Sequence, residues 1–87
     1  MSDDAAITET MLRLVAERGA GKSICPSEVA RAVGKARDED WHPLMQPVRR
    51  AAVRLAHDGR VVILRKGKPA DPDDFKGIYR LTVPRED

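Results

Sequence analysis

Residues 47–69, PVRRAAVRLAHDGRVVILRKGKP, contain a helical pattern, then a break at Asp58-Gly59, then a short run rich in β-branched residues. Seven side chains in this stretch are positive and one, Asp58, is negative, which gives a local net charge of +6 (7 − 1). The positive ones are Arg49, Arg50, Arg54, Arg60, Arg65, Lys66 and Lys68. The formal net charge of the whole chain is only +2. Positive charge is therefore concentrated where a helix passes into a strand pair.

The helix in this stretch is predicted to have two chemically different faces. At about 100° per residue from Leu44, one arc contains only small aliphatic side chains. Its members are Val48, Ala51, Ala52 and Leu55; the opposite arc contains Gln46, Arg49, Arg50, Val53, Arg54 and His57. We expect Val53 to be exposed among the arginines and His57 to point outward beside them. Pro43 and Pro47 cannot both lie inside a regular helix, so we predict a turn over 41–45 and a helix over 47–57.

The same periodicities predict the remaining elements. They are a helix over 4–18, a brief strand over 22–24, a helix from Pro26 closed by Gly34, a charged connector over 35–40, and strands over 60–65 and 77–83. Cys25 would be a weak N-cap of the second helix, because a thiol accepts hydrogen bonds poorly. The segment 66–76, with Gly67, Pro69 and Pro72, is interpreted as a loop longer than a tight turn.

This order, α-β-α-α-β-β, is that of a small winged helix-turn-helix, an α+β fold with three helices and a β-hairpin wing. Eighty-seven residues suffice for one modest core. We therefore predict a single domain over 1–87, with an ordered core over about 4–83. Apolar content is 41% but aromatic content only 3%, so the core must be aliphatic.

Composition argues against several classes of protein. Cys25 is the only cysteine, and with His42 and His57 it gives no spacing typical of zinc ligands. No apolar run approaches the ~20 residues that span a bilayer, and the acidic start MSDDAAITET does not resemble a signal peptide. Nucleophile-elbow, P-loop and dinucleotide motifs are not found. We expect a cytoplasmic protein that is not an enzyme, has no cofactor or metal, and does not bind membranes.

Several short motifs resemble one bacterial family. They are ICPSEVAR at 24–31, Trp41, Leu44-Met45, Val48-Arg49, Ala52, RLA at 54–56, Gly59, KGKPADP at 66–72, Gly77 and Arg80-Leu81. The chain resembles the bacterial family known as domain of unknown function 3253 over roughly residues 7–83. The resemblance implies a winged-helix fold and implies no activity.

Two functional hypotheses remain open. In the first, the third helix and the wing bind duplex DNA, with Gln46 near a base edge. Phosphate contacts would come from Arg49, Arg50, Arg54, Arg65, Lys66 and Lys68. In the second, the same face binds an acidic protein partner or a second copy, without a nucleic-acid role. The acidic residues Asp71, Asp73 and Asp74 in the wing loop favour the second hypothesis, because they would repel phosphate.

Two single side chains also have alternative interpretations. Trp41 could stack on a base or a partner, or cap the core where the connector meets the third helix, and we favour the cap. Cys25 could be a reactive thiol at a helix N-terminus or a small packed residue, and we favour the packed residue.

Overall fold

A computed structural model describes residues 3–84; Met1, Ser2 and residues 85–87 of the predicted 1–87 domain lie outside the described part. The elements are α1 (Asp3–Arg18), α2 (Pro26–Arg37), a 3₁₀ turn (His42–Leu44), α3 (Met45–His57), β1 (Val62–Arg65), β2 (Lys68–Pro69) and β3 (Arg80–Thr82). Three helices and a three-stranded antiparallel sheet make an α+β domain consistent with a winged helix, which confirms the predicted fold class.

Helix α1 is the scaffold against which the other two helices pack. Its buried residues Ile7, Met11 and Val15 recur at a four-residue spacing and form one apolar stripe. At its C-terminal end, Arg18 donates to the Ser23 carbonyl at 3.0 Å and to the Glu28 carboxylate at 2.6 Å. Arg18 therefore ties α1 to the start of α2.

Helix α2 begins where the sequence predicts and ends later. Cys25 is the N-cap, Pro26 follows it, and Glu28 accepts a hydrogen bond from the Cys25 amide at 2.8 Å. Partial burial raises the pKa of Glu28, but the Cys25 amide and Arg18 lower it more, so the net shift is downward. Glu28 thereby forms the half of a capping box in which the N3 carboxylate binds the N-cap amide.

The prediction that Gly34 closes α2 is wrong. The helix continues to Arg37, and Asp38, in the left-handed conformation with φ 56°, caps it. Gly34 has a different role, since a Cβ there would lie 3.0 Å from the Glu39 carbonyl oxygen and 3.0 Å from the Trp41 Cβ. The missing side chain lets the connector cross closely over the helix.

Helix α3 is preceded by the 3₁₀ turn that contains Pro43, and Pro47 falls in its first turn. This agrees with the predicted irregular start. Val48, Ala51, Ala52 and Leu55 are buried, as the helical wheel predicts. The prediction that Val53 is exposed is wrong, because Val53 is half-buried and packs against the core.

The sheet has the order β2-β1-β3, with both neighbours antiparallel to β1. Val62 is paired with Thr82, and Leu64 with Arg80. Ile24 forms a β-bridge with Leu81 through two hydrogen bonds of 2.8 and 2.9 Å, which confirms that the segment before α2 adds to the sheet.

The interpretation of residues 66–76 as one long loop is wrong at its start. Lys66 and Gly67 have φ values of 52° and 82° and join β1 to β2 in a two-residue turn. Positive φ at both positions is typical of the type I′ turn, which matches the twist of a hairpin. The strand β2 then leads into residues 70–79, which cross from one edge of β1 to the other.

The crossover segment is anchored in the core. Phe75 and Tyr79 are each 7% exposed, and their rings contact edge to face at a centroid distance of 5.2 Å. The prediction of a purely aliphatic core is therefore wrong, because two of the three aromatic side chains lie in it beside Ile7, Ile24 and Leu81. The segment between β2 and β3 therefore lies against the domain instead of extending freely into solvent.

Candidate nucleic-acid interface

The exposed side of α3 is cationic, but only some of its cations are free to contact a ligand. Gln46 and Arg50 are exposed one helical turn apart in the first half of α3. No hydrogen bond or ion pair with residues 3–84 holds Arg50, so its guanidinium can meet a ligand without breaking a contact in that part of the chain. Both side chains lie on the face that the helical wheel assigns to solvent.

Arg49 is engaged with the crossover segment. Its Nη2 donates to the Phe75 carbonyl at 2.7 Å, and its guanidinium carbon lies 3.9 Å from the centroid of the Phe75 ring. The Tyr79 ring is 5.7 Å away. These contacts clamp residues 75–79 onto α3. A phosphate contact from Arg49 would compete with them.

Arg54 points toward α1. It donates to the Asp4 carboxylate at 3.1 Å and to the Thr8 hydroxyl at 2.6 Å. About half of each partner in the ion pair is exposed (44% for Arg54 and 53% for Asp4), so the pair is weak and remains open to a competing anion.

The hairpin supplies the second group of cations. Lys66 lies in the type I′ turn and Lys68 begins β2; both are exposed. Arg65 is half-buried and donates to the Ile78 carbonyl. Lys66 and Lys68 are therefore free to contact a ligand. Arg65 instead binds the hairpin to the crossover segment.

A further cation, Lys76, lies between α3 and the hairpin. It is exposed and follows Phe75, which Arg49 holds, while the Ile78 carbonyl is held by Arg65. We call Arg50, Lys66, Lys68 and Lys76 the basic surface. The sequence groups Lys76 with Lys66 and Lys68 as wing lysines that could follow a DNA backbone, but its position beside α3 depends on the Arg49–Phe75 contact, which is not local.

The carboxylates of the crossover segment lie toward the C-terminal end of α3. Asp73 accepts a hydrogen bond from His57 Nε2 at 2.8 Å, and Asp71 and Asp74 are exposed nearby in the chain. His57 is exposed, as predicted, and the structure adds a carboxylate neighbour that the helical wheel does not indicate. The two ends of the α3 face differ in charge, with Gln46 and Arg50 at the start and Asp73 at the end.

Tyr79 is the one buried side chain in residues 3–84 whose polar atom has no hydrogen-bond partner. Burial raises the pKa of its phenol to about 12, against the opposing effect of the Arg49 guanidinium. The phenol is therefore neutral at ordinary pH, and it belongs to the core under the clamp that Arg49 forms.

Trp41 is half-buried and packs against the core, as the cap interpretation predicts. His42 stacks on its indole at 3.9 Å, and the Arg31 guanidinium lies 4.7 Å from the ring centroid. Cys25 is a half-buried free thiol, 3.0 Å from the Ser27 hydroxyl.

Two further features are absent from the described residues, a metal-binding cluster and a membrane-spanning helix. Residues 3–84 contain no group of three or more His, Cys, Asp or Glu side chains placed to hold a metal ion. The helices in that range are also too short or too polar to cross a membrane.

A sequence model of the family described as "Protein of unknown function (DUF3253)" matches residues 4–84. The chain belongs to this family. The match covers α2, α3, the whole sheet and all of α1 except Asp3. It therefore includes every residue of the basic surface. A comparison with curated proteins gave no match.

Proposed function

We propose that this DUF3253 domain is a winged helix that binds duplex DNA through the basic surface, without catalysing a reaction. Gln46, near the start of α3, would read a base edge, and the basic surface would contact phosphates. Arg54 would add a contact by exchanging Asp4 for a phosphate.

The observation that carries the proposal is the continuity of positive charge from α3 to the hairpin. Residues 41–57 contain no acidic side chain, and neither do residues 75–82. Arg49 holds Phe75 against α3, and Arg65 holds Ile78 against the hairpin. The segment between these contacts contains the exposed Lys76, so residues 75–78, which link α3 to the hairpin through them, have a cation and no carboxylate. A merely soluble face usually mixes both signs of charge.

The acidic part of the crossover segment sets the expected orientation on DNA. Asp73 is bound to His57 at the C-terminal end of α3, where it would repel a phosphate. The duplex would therefore lie over the first half of α3 and the hairpin. This differs from a recognition helix that contacts DNA along its whole length.

Fluorescence anisotropy with a labelled, mixed-sequence duplex of about 20 base pairs, at several salt concentrations, tests the proposal. Five phosphate contacts, four from the basic surface and one from Arg54, predict a slope of log K against log salt of about −4.5. Arg50→Ala should weaken binding to all sequences about equally and reduce the slope by about 1, while Gln46→Ala should change the preference among sequences. Lys35→Ala, an exposed cation on α2, is the matched control. Absence of binding at low salt would refute the proposal.

A second candidate function is the binding of an acidic protein partner or a second copy on the same face. The observation that favours it is the Asp73–His57 contact, since this end of α3 already accepts a carboxylate. An exposed Val53 would also favour this function, but the side chain is half-buried. A partner recovered by pull-down after nuclease treatment, and lost with Arg50→Ala, would support this function over DNA binding. Light scattering that shows a concentration-dependent dimer would support the second copy.

A further inference from the structure

The outer face of the sheet contains a groove that is separate from the buried side. Ile63 and Leu81 point inward and are nearly fully buried, so their neighbours Leu64 and Arg80, which are paired across β1 and β3, point outward. On this outer face, the type I′ turn at Lys66-Gly67 and residues 78–80 border a groove of about 390 Å³. Leu64 and Ile78 form its apolar part.

Ile78 is 84% exposed, the one large apolar side chain so exposed among residues 3–84. Contacts of the backbone at residues 77–78 fix the position of Ile78. Arg65 donates to its carbonyl, and the preceding Gly77 has φ +84° and leaves room for that guanidinium, since a Cβ at Gly77 would lie 3.3 Å from Arg65 Nη1. The fold therefore holds an aliphatic side chain in water, at a cost that burial against a partner would recover.

The charged residues that line the groove are all cations. They are Arg65, Lys66 and Arg80. Arg80 is held in place because it donates to the Ser23 hydroxyl at 2.6 Å and to the Ser23 carbonyl at 3.0 Å. Two of the three cations are thus oriented before any ligand arrives, which reduces the entropy lost on binding.

We infer that this groove binds a short acidic peptide segment of a partner protein, with one large apolar side chain against Ile78 and Leu64. Carboxylates on both sides of that side chain would pair with Arg65, Lys66 and Arg80. Charge complementarity selects an acidic ligand, and the apolar floor selects a side chain over a phosphate. The volume is at the small end of ligand sites, roughly 300–1,000 Å³, which suits a few residues of extended peptide. This binding does not depend on whether the basic surface binds DNA.

The test is a titration of the ¹⁵N-labelled chain, followed by amide chemical shifts, with the acetylated octapeptide GEDLFDEG. Two control peptides separate the contributions: GEDSSDEG keeps the acids without the apolar pair, and GKKLFKKG keeps the apolar pair with the opposite charge. We expect shifts only with GEDLFDEG, at Ser23 and within residues 64–67 and 77–80.

Four variants make the assignment specific. Ile78→Ser should weaken the affinity roughly tenfold or more, because it removes most of the apolar contact, while Ile78→Leu should retain it. Lys66→Gln should weaken it several-fold, with a loss that shrinks at high salt. Lys35→Gln makes the same charge change on α2 and should have no effect. Ile78 and Lys66 are exposed, so these variants should fold.

Each contrary result overturns the inference. Absence of shifts at millimolar GEDLFDEG would exclude a peptide site. Equal shifts with GEDSSDEG would show charge attraction without an apolar site. The DNA proposal already includes Lys66, so shifts with the DNA duplex alone would assign the groove to nucleic acid only if they extend to Ser23 and residues 77–80, and concentration-dependent shifts without peptide would assign it to a second copy.

Discussion

Arg49 and Arg50 are adjacent in α3, yet the structure gives them opposite surroundings. Arg49 donates to the Phe75 carbonyl at 2.7 Å and lies 3.9 Å above the Phe75 ring, whereas Arg50 is exposed. A hydrogen bond from a charged group contributes about 1.5–3 kcal/mol and a cation–π contact about 0.5–2 kcal/mol. Arg49 is only half-buried, so the lower parts of both ranges apply. We expect Arg49→Ala to lower the free energy of unfolding by about 2 kcal/mol.

Urea denaturation followed by the fluorescence of Trp41, the single tryptophan, measures this free energy. Arg50→Ala is the matched control and should change it by less than about 0.5 kcal/mol. In thermal unfolding, Arg49→Ala should lower Tm by about 8–16 °C. A difference between the two variants below about 0.5 kcal/mol would refute the assignment of Arg49 as a clamp. DNA binding should show the reverse ranking, since folded Arg49→Ala should keep the salt slope that Arg50→Ala reduces.

Three other perturbations test separate features. Gly34→Ala, usually stabilising inside a helix, should destabilise by about 1–3 kcal/mol in urea denaturation because its Cβ would meet Trp41 at 3.0 Å; a gain in stability would contradict the close crossing. Tyr79→Phe should leave stability unchanged or raise it by about 1 kcal/mol, because the hydroxyl is buried without a partner. Absorbance at about 295 nm should show the phenol titrating near the pKa of about 12 instead of 10. Since this folded-state pKa exceeds the unfolded one, stability should fall as pH rises between them. Asp73→Asn should strengthen DNA binding about two- to fivefold at low salt, while Asp38→Asn, on α2, should have little effect on anisotropy.

The sequence predicts the helices and the two main strands of this fold because their side-chain periodicities are local. It misplaces the end of α2 because a glycine usually stops a helix, whereas Gly34 is needed for a contact with Trp41 seven residues later. The β1–β2 turn escapes prediction because Lys66 occupies a position with φ 52°, where asparagine or aspartate would signal the turn.

The candidate site is harder to predict than the fold. The wheel places Arg49 on the outer arc, but at its edge, where a segment packed beside the helix can reach it. That segment is separated from Arg49 by 26 residues, and nothing local indicates its path. Non-local packing also brings Asp73 to His57, and Val53 on the outer arc is half-buried against the core. Gln46, Arg50, Lys66 and Lys68 are exposed, as predicted, because no other element within residues 3–84 packs over them.

The Ile24–Leu81 bridge has a consequence for the order in which the chain folds. Leu81 is fully buried, and β3 pairs with both β1 and the residue just before α2. During synthesis, α1 to β2 leave the ribosome before this strand exists, so the sheet cannot close and part of the core stays open to water. Pairing across 57 residues also slows the search for the native state. The domain should therefore acquire its stability as one cooperative step after β3 has been released, and nascent chains that stop before Leu81 should remain sensitive to protease.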